Sequence, residues 1–392
     1  MDVKKITFIT YHNWKTKRHG GFHQFAEYTC KQGIETVFFS FSRPYYILFK
    51  NEERLNYKVL RLLNNGCYYD IGGHNLLNVT WSTLALPGFL RKFVSSEINE
   101  WLMCHSFTPF KKIVGKWLKN TDCFVFESCD AVFLLDLIKK YFPKAKIIYR
   151  PSDPLVEFSN EKYAIEAEKR LIAKADKILL VNNESLAVYA EKFPDVFNKE
   201  KFYVVSNGVD VSAYLKKYEF PDELKWPKTA LYIGASLIDW ELMIIAAQQL
   251  PDIRFVIITP NKPIDKVLAR IKSISNLLYI SGISPSQVPQ WVTNASIILQ
   301  PFSSSSQYCN KKSLGLTAQN YKAIAAQKTI ITHQIPMHLS KYGLITTNTY
   351  QDFIDAIAKN INNNKVQYNI DINEKSWEYL CCSLLNIIRN GK

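Results

Sequence analysis

Lys146-Ile147-Ile148-Tyr149-Arg150-Pro151-Ser152-Asp153, near the middle of the chain, is the stretch on which the fold turns. The apolar residues Ile147 to Tyr149 predict a strand buried on both faces, as in a parallel sheet. Pro151 cannot donate to a sheet ladder, so the strand stops there. A carboxylate, Asp153, is left just past the strand's carboxyl end, the edge where open α/β sheets bind ligands. A lone carboxylate at that edge suits a general base acting on a hydroxyl. The same residue also reads as a cap for the next helix, and the rest of the chain has to decide between the two.

Outward from this strand, strand-like runs alternate with amphipathic helical stretches. The runs lie at 6–10, 36–40, 123–127 and 177–182, and 161–174 places Tyr163, Ala167, Leu171 and Ala175 at helical spacing. Such alternation predicts parallel sheets with crossover helices. After a run at 202–206, Asn207-Gly208 signals a turn and a second series follows, at 229–233, 254–259, 277–280, 295–300 and 329–332. The predicted fold class is α/β, with two doubly wound Rossmann-like domains at 1–207 and 208–372. A C-terminal helix within 373–392 is expected to pack Trp377, Leu380, Leu384 and Ile388 back on the first domain.

Composition narrows the function classes. The 392 residues are 47% hydrophobic and 21% charged, a globular balance long enough for two domains. No uncharged apolar run reaches the length of a membrane span, and Met1-Asp2-Val3-Lys4-Lys5 leads into a strand rather than a secretion signal. The eight cysteines form no CxxC pair and sit mostly in apolar segments, as reduced thiols of a cytoplasmic protein would. A formal net charge of +14 favours anionic partners. Neither G-x-G-x-x-G nor a P-loop is present, which argues against dehydrogenases and P-loop NTPases. His19/His23 and His333/His338 lack acids at ligand spacing, so no metal is expected. The basic residues are dispersed and carry no nucleic-acid-binding signature, so no nucleic acid is expected as a partner.

The opening, Phe8-Ile9-Thr10-Tyr11-His12-Asn13-Trp14 through Lys17-Arg18-His19-Gly20-Gly21-Phe22-His23-Gln24-Phe25-Ala26, resembles the first βα unit of two-domain GT-B glycosyltransferases. More narrowly it resembles the GumK-type glucuronosyltransferases, glycosyltransferase family 70. Phe126-Glu127-Ser128, Tyr149 to Asp153, Ser206-Asn207-Gly208-Val209-Asp210, and Tyr232-Ile233-Gly234-Ala235 with Asp239-Trp240 agree with it in order and spacing. The likeness is clearest at 1–45, 120–240 and 310–332 and is not legible at 45–120. It implies two Rossmann-like domains facing a central cleft, with Asp153 as the catalytic residue. It further implies acceptor contacts from His19, Gly21, His23, Glu127 and Glu184. Donor contacts are implied for Gly234, Tyr308, Lys312, Gln319, Tyr321 and Lys322.

The donor region departs from the family pattern. Ala325-Ala326-Gln327-Lys328-Thr329 stands where Ala-Ala-Gly-Lys-Pro is usual, and Gln319 and Lys322 stand as if the family's Lys and its acid or Gln had been exchanged. Both lie within one helical turn on one face, so the ammonium still reaches a diphosphate or a sugar carboxylate. Transfer from a nucleotide diphosphate sugar needs a base for the acceptor hydroxyl and stabilisation of the leaving diphosphate. The second task falls to helix N-termini, to hydroxyls of Ser303 to Ser306, to Tyr308, and to Lys311 and Lys312. Ser313 is expected to cap the helix bearing Gln319. Glu127 and Glu184 are second candidates for the base, or else bind acceptor or orient a loop.

Between 84 and 119, Phe93, Trp101, Phe107, Phe110, Ile113 and Trp117 interleave with Lys92, Lys111, Lys112, Lys116 and Lys119. This mixture suits a surface helix on an anionic bilayer. The resemblance then implies an inverting, metal-independent transferase without cofactor, peripheral on the inner face of the bacterial inner membrane. Its donor would be a nucleotide sugar, UDP-linked, with glucuronic acid as the sugar. Its acceptor would be a polyprenyl-diphosphate-linked saccharide in capsule or exopolysaccharide assembly. A nucleotide-sugar epimerase and a non-catalytic scaffold of the same fold stay open.

Overall fold

The apolar runs of the first half form eight strands in the computed structural model, which describes residues 3–16, 19–49, 63–309, 311–363 and 366–390. They are β1 Lys5–Thr10, β2 Glu35–Pro44, β3 Asn65–Ile71, β4 His74–Thr83, β5 Cys123–Glu127, β6 Lys146–Arg150, β7 Lys177–Leu180 and β8 Phe202–Val204. Their order in the sheet is β3-β4-β2-β1-β5-β6-β7-β8. All neighbours are parallel except β3 and β4, which form a hairpin. β1 and β5 are buried along their whole length, as central strands covered by helices on both faces must be. Phe39, Phe41, Trp81, Phe124, Phe126, Tyr149, Leu171 and Tyr189 lie in this core.

The chain runs from β1 outward to β2 and the hairpin, then returns to the other side of β1 to lay down β5. That reversal opens a crevice beyond the carboxyl ends of β1 and β5. The hairpin falls in the stretch where no family resemblance is legible in the sequence. Its turn is Gly72-Gly73, with φ of +61° and +87°, left-handed angles that glycine takes without a Cβ clash.

The second series forms six parallel strands: β9 Thr229–Ile233, β10 Arg254–Ile258, β11 Leu277–Ile280, β12 Ile297–Pro301, β13 Thr329–His333 and β14 Ile345–Thr347. Their order is β11-β10-β9-β12-β13-β14, so the strand order reverses between β9 and β12. The three-residue edge strand β14 was not foreseen; it is too short to carry a periodic signal.

The chain divides into Met1–Ser206 with Leu380–Lys392, and Asn207–Tyr379. Within the second unit the entering and leaving segments pair: Val209 N donates to Lys375 O at 2.9 Å, and Val209 bridges to Ser376. Trp377 lies flat on Gly208, where an added Cβ would meet its ring at 2.5 to 2.9 Å. Trp377 is thus not part of the stripe expected on the first unit. The last helix is Trp377–Asn390; it starts later than the sequence suggests because Asn373–Lys375 forms a separate turn. From Leu380 on, its residues group with the first unit. Leu380, Leu384, Leu385 and Ile388 are buried, and Lys146 Nζ donates to Ile388 O at 2.7 Å.

Candidate active site

The crevice of the first unit is floored by Glu127, the last residue of β5. It is 6% exposed and accepts a short hydrogen bond from Thr10 Oγ1 at the end of β1. Its other oxygen faces His12 Nε2 at 3.8 Å and accepts from Ser152 Oγ at 3.4 Å. Across the parallel pair of β5 and β6, Glu127 is registered with Arg150. The Arg150 guanidinium is fully buried, rests on the Phe25 ring at 4.9 Å, and donates to Ser152 Oγ at 3.2 Å. Burial lowers its pKa to about 10, with Glu127's charge opposing the fall. Burial also pushes the Glu127 carboxyl upward, against the pull of Thr10, Arg150 and Ser152.

Asp153 sits on the loop leaving β6, and Ser128 Oγ accepts from the amides of Ser152 at 2.9 Å and Asp153 at 3.1 Å. The loop is therefore clamped while the Asp153 residue is exposed. Protein mass around the carboxyl strips it of water and, with the negative charge of Glu127, raises its affinity for a proton; Arg150 pulls the other way. The chain after Asp153 is anchored by Glu168, buried in the helix Lys162–Lys174. Its carboxylate accepts from Tyr149 Oη at 2.5 Å, Tyr189 Oη at 2.8 Å, Leu155 N at 3.0 Å and Val156 N at 2.8 Å. Asp153 thus does not cap the helix Leu155–Phe158; Glu168 reaches its first amides instead. Arg150, Ser152, Ser128, Thr10 and Glu168 are site-shaping residues that sequence reasoning missed, since polar residues at strand ends carry no periodic mark.

His23 lies within the helix Gly21–Lys31 and is fully buried. Its Nδ1 accepts from Gly20 N at 3.2 Å and its Nε2 donates to Asn13 O at 2.9 Å. Burial lowers its pKa to about 3. It therefore pins the loop after β1 rather than offering a face to an acceptor, which corrects the contact implied for it. His19 is exposed and stacks on it at 4.5 Å. Gly21 is half-buried at the helix start, and Lys17-Arg18 lie outside the described residues. Glu184 begins the helix Glu184–Lys192 after β7 and is half-buried.

In the second unit the reversal lies between β9, which runs into Gly234, and β12, which runs into the loop at 302–312. Gly234 N donates to Ile258 O at 3.0 Å, Asn261 Nδ2 holds Ala235 O at 2.7 Å, and Tyr232 Oη donates to Ser236 O at 3.3 Å. Gln319 lies against Gly234 from the helix Ala318–Ala325. That helix is capped by Thr317, not by the expected Ser313, which is buried upstream. Asn320 completes a capping box and donates to buried Gln300 Oε1 at 3.1 Å. Gln319 and Lys322 are half-buried on one face, whereas Tyr321 is 3% exposed and packs into the core, so its side chain is not presented to a donor. Tyr308 is half-buried, 6.1 Å from the Phe302 ring, and Lys312 is exposed. Gln327, in place of the usual Gly, has φ of +53°. The Gln327 and Lys328 amides close the helix on Ile324 O and Ala323 O, both at 2.9 Å.

The stretch at 84–119 is not one surface helix. It breaks into Gly88–Arg91, Ser96–Met103, Phe110–Ile113 and Val114–Leu118. Phe110 and Ile113 are buried and Trp117 is half-buried, but Phe89, Phe93, Trp101 and Phe107 are 68%, 74%, 52% and 79% exposed. Among the described residues, no helix is long and apolar enough to cross a membrane.

Residues 8–181 match the sequence model of the family described as glucuronosyltransferase GumK, N-terminal domain. That span includes 45–119, where the sequence itself offers no legible resemblance. A curated relative, the UDP-glucuronate:glycolipid 2-beta-glucuronosyltransferase of Xanthomonas campestris pv. campestris, is 26% identical over 255 residues. The match covers 64% of this chain and 58% of the relative, little more than half its length. Among solved structures, a UDP-forming α,α-trehalose-phosphate synthase from Burkholderia xenovorans in complex with glucose-6-phosphate has a TM-score of 0.66. The superposition covers 99% of this chain and 100% of that one at 10% identity. The pneumococcal O-GlcNAc transferase GtfA in complex with UDP and GlcNAc has a TM-score of 0.56, covering 99% of each chain at 10% identity. Such structural likeness shows the fold alone, and that fold is GT-B. With the sequence matches, the chain resembles the GumK-type glucuronosyltransferases over its first unit and shares the GT-B fold over its length.

Proposed function

We propose that the chain is an inverting glycosyltransferase that moves glucuronic acid from a UDP-linked donor to a lipid-linked saccharide. The observation that carries this reading is Asp153: an exposed residue on a clamped loop at the carboxyl edge of the first sheet, its carboxyl held among protein atoms that raise its proton affinity. The acceptor hydroxyl gives its proton to Asp153 while its oxygen bonds to the anomeric carbon from the face opposite the nucleotide. The bond from that carbon to the diphosphate oxygen breaks and UDP leaves, so the anomeric configuration inverts.

Lys322, Lys312, Tyr308 and Gln319 suit the leaving diphosphate and the sugar carboxylate, as does the start of the helix Ala318–Ala325. This is charge stabilisation by the protein itself, without a metal. His19, Gly21 and Glu184 are the acceptor side of the proposal. The name of the Xanthomonas relative supports UDP-glucuronate as donor and a glycolipid as acceptor. A polyprenyl-diphosphate anchor, capsule or exopolysaccharide assembly, and a place at the anionic inner face of the bacterial inner membrane complete it. The exposed Phe89, Phe93, Trp101 and Phe107, among lysines, support that last element.

The test is transfer from UDP-[14C]glucuronate into extracted bacterial glycolipid. Asp153→Asn is expected to lower transfer at least about a hundredfold while calorimetry shows UDP bound as by the parent. A variant that transfers within about tenfold of the parent overturns the assignment of the base.

A further inference from the structure

Glu127 spends a buried carboxylate at the reversal point of the first sheet, and four segments meet on it. Thr10 Oγ1 donates to it from β1, and His12 faces it from the following loop at 3.8 Å. Ser152 donates to it from the Asp153 loop at 3.4 Å. Arg150 is its register partner on β6 and donates to the same Ser152 hydroxyl. A buried carboxylate is costly unless paired and hydrogen-bonded. A sheet edge needing only packing would be served by an apolar residue.

We propose that Glu127 is a positioning residue for Asp153: through Ser152 it fixes the loop that carries the base, and it sets a second negative charge beside that base. This deepens the transfer reading and rests on Asp153 being the proton acceptor. The two carboxyls then titrate as a coupled pair rather than as independent acids. The direction of the Asp153 shift, upward through burial first and the Glu127 charge second, agrees. Among the described residues, the other titratable or charged groups facing the pair are Arg150 and His12, with the Cys129 thiol near Glu127 and the Cys381 thiol near Arg150.

The coupling is read without reference to chemistry by following the Asp153 side-chain carbon in the full chain labelled with [4-13C]aspartate, assigned through Asp153→Asn. The parent is expected to titrate in two steps. Glu127→Gln is expected to titrate in one, with its midpoint about one pH unit lower, because a neighbouring negative charge is gone. Glu127→Asp keeps the charge and withdraws from Ser152, so its curve keeps two steps while kcat for glucuronyl transfer falls about tenfold and KM for UDP-glucuronate holds. An Asp153 curve unmoved by Glu127→Gln overturns the proposal whether or not the chain transfers sugar. An altered curve with no transfer by the parent leaves Glu127 coupled to Asp153 and removes the transferase reading instead. If Glu127→Gln fails to fold, Ser152→Ala carries the test: the two-step curve stays and kcat falls, whereas an unchanged kcat overturns positioning through Ser152.

Discussion

Gln319 lies directly over Gly234: a Cβ added to the glycine would stand 2.3 Å from Gln319 Nε2 and 2.8 Å from Tyr232 Oη. The glycine is crowded by the ends of two side chains and not held by a positive φ. Gly234→Ala is expected to cost about 1–3 kcal/mol through overpacking, and Gln319→Ala alone much less. The double variant is expected to recover most of the loss, since Gln319 is the nearest obstacle. Urea unfolding of the four proteins measures this coupling, and strictly additive effects would refute the contact.

Gln327 holds a left-handed conformation at the helix end, where its missing freedom is paid in strain. Gln327→Gly is expected to stabilise the second unit by about 1 kcal/mol. A thermal midpoint equal to or below the parent's speaks against it.

His23 predicts how the chain answers acid. In the folded state its pKa is lowered to about 3 from 6.5, because the ring is buried and its Nδ1 accepts from Gly20 N. The unfolded chain binds the proton first as pH falls, so this contribution is intact above about 6.5 and is lost between there and 3. Between pH 7.5 and 5 it amounts to about 2 kcal/mol of stability. His23→Gln is expected to be less stable at pH 7.5 and to lose less on acidification. Parallel slopes for the two proteins in denaturant titrations at both pH values would contradict this.

The apolar side chains at 89–107 make the membrane element of the proposal testable without sugar chemistry. The triple variant Phe93→Ser, Trp101→Ser, Phe107→Ser is expected to lose most flotation with phosphatidylglycerol vesicles. The parent is expected to float with these and not with neutral phosphatidylcholine vesicles. Equal flotation with both kinds removes the charge argument, and equal flotation of the variant removes the aromatic one.

The central strands were legible because burial on both faces leaves continuous apolar runs: β5 and β9 fall at the positions expected, and β6 runs one residue further, to Arg150. The β3/β4 hairpin was not, since Asn65–Ile71 is a half-exposed edge strand and Gly72-Gly73 reads equally as a loose loop. Asp153 could be found from Pro151 and the strand before it. The supporting set could not, because Thr10, Glu127, Arg150 and Ser152 meet only once β1 and β5 are laid side by side. His23 shows the opposite failure: a polar residue in a suggestive motif is taken up by the backbone of its own loop. The Thr317 cap was missed for Ser313, since both hydroxyl residues precede the same apolar stretch.

The terminal helix sets an order of assembly. Lys146 caps Ile388 O, and Tyr28 Oη meets Cys382 Sγ at 2.7 Å, so the first unit is completed by residues translated after the second. Asn207–Tyr379 emerges in between as an insertion with its ends already paired. On the ribosome the earlier half waits, one face uncovered, until the helix from Leu380 on has been made. A chain truncated before Leu380 leaves that face bare for good.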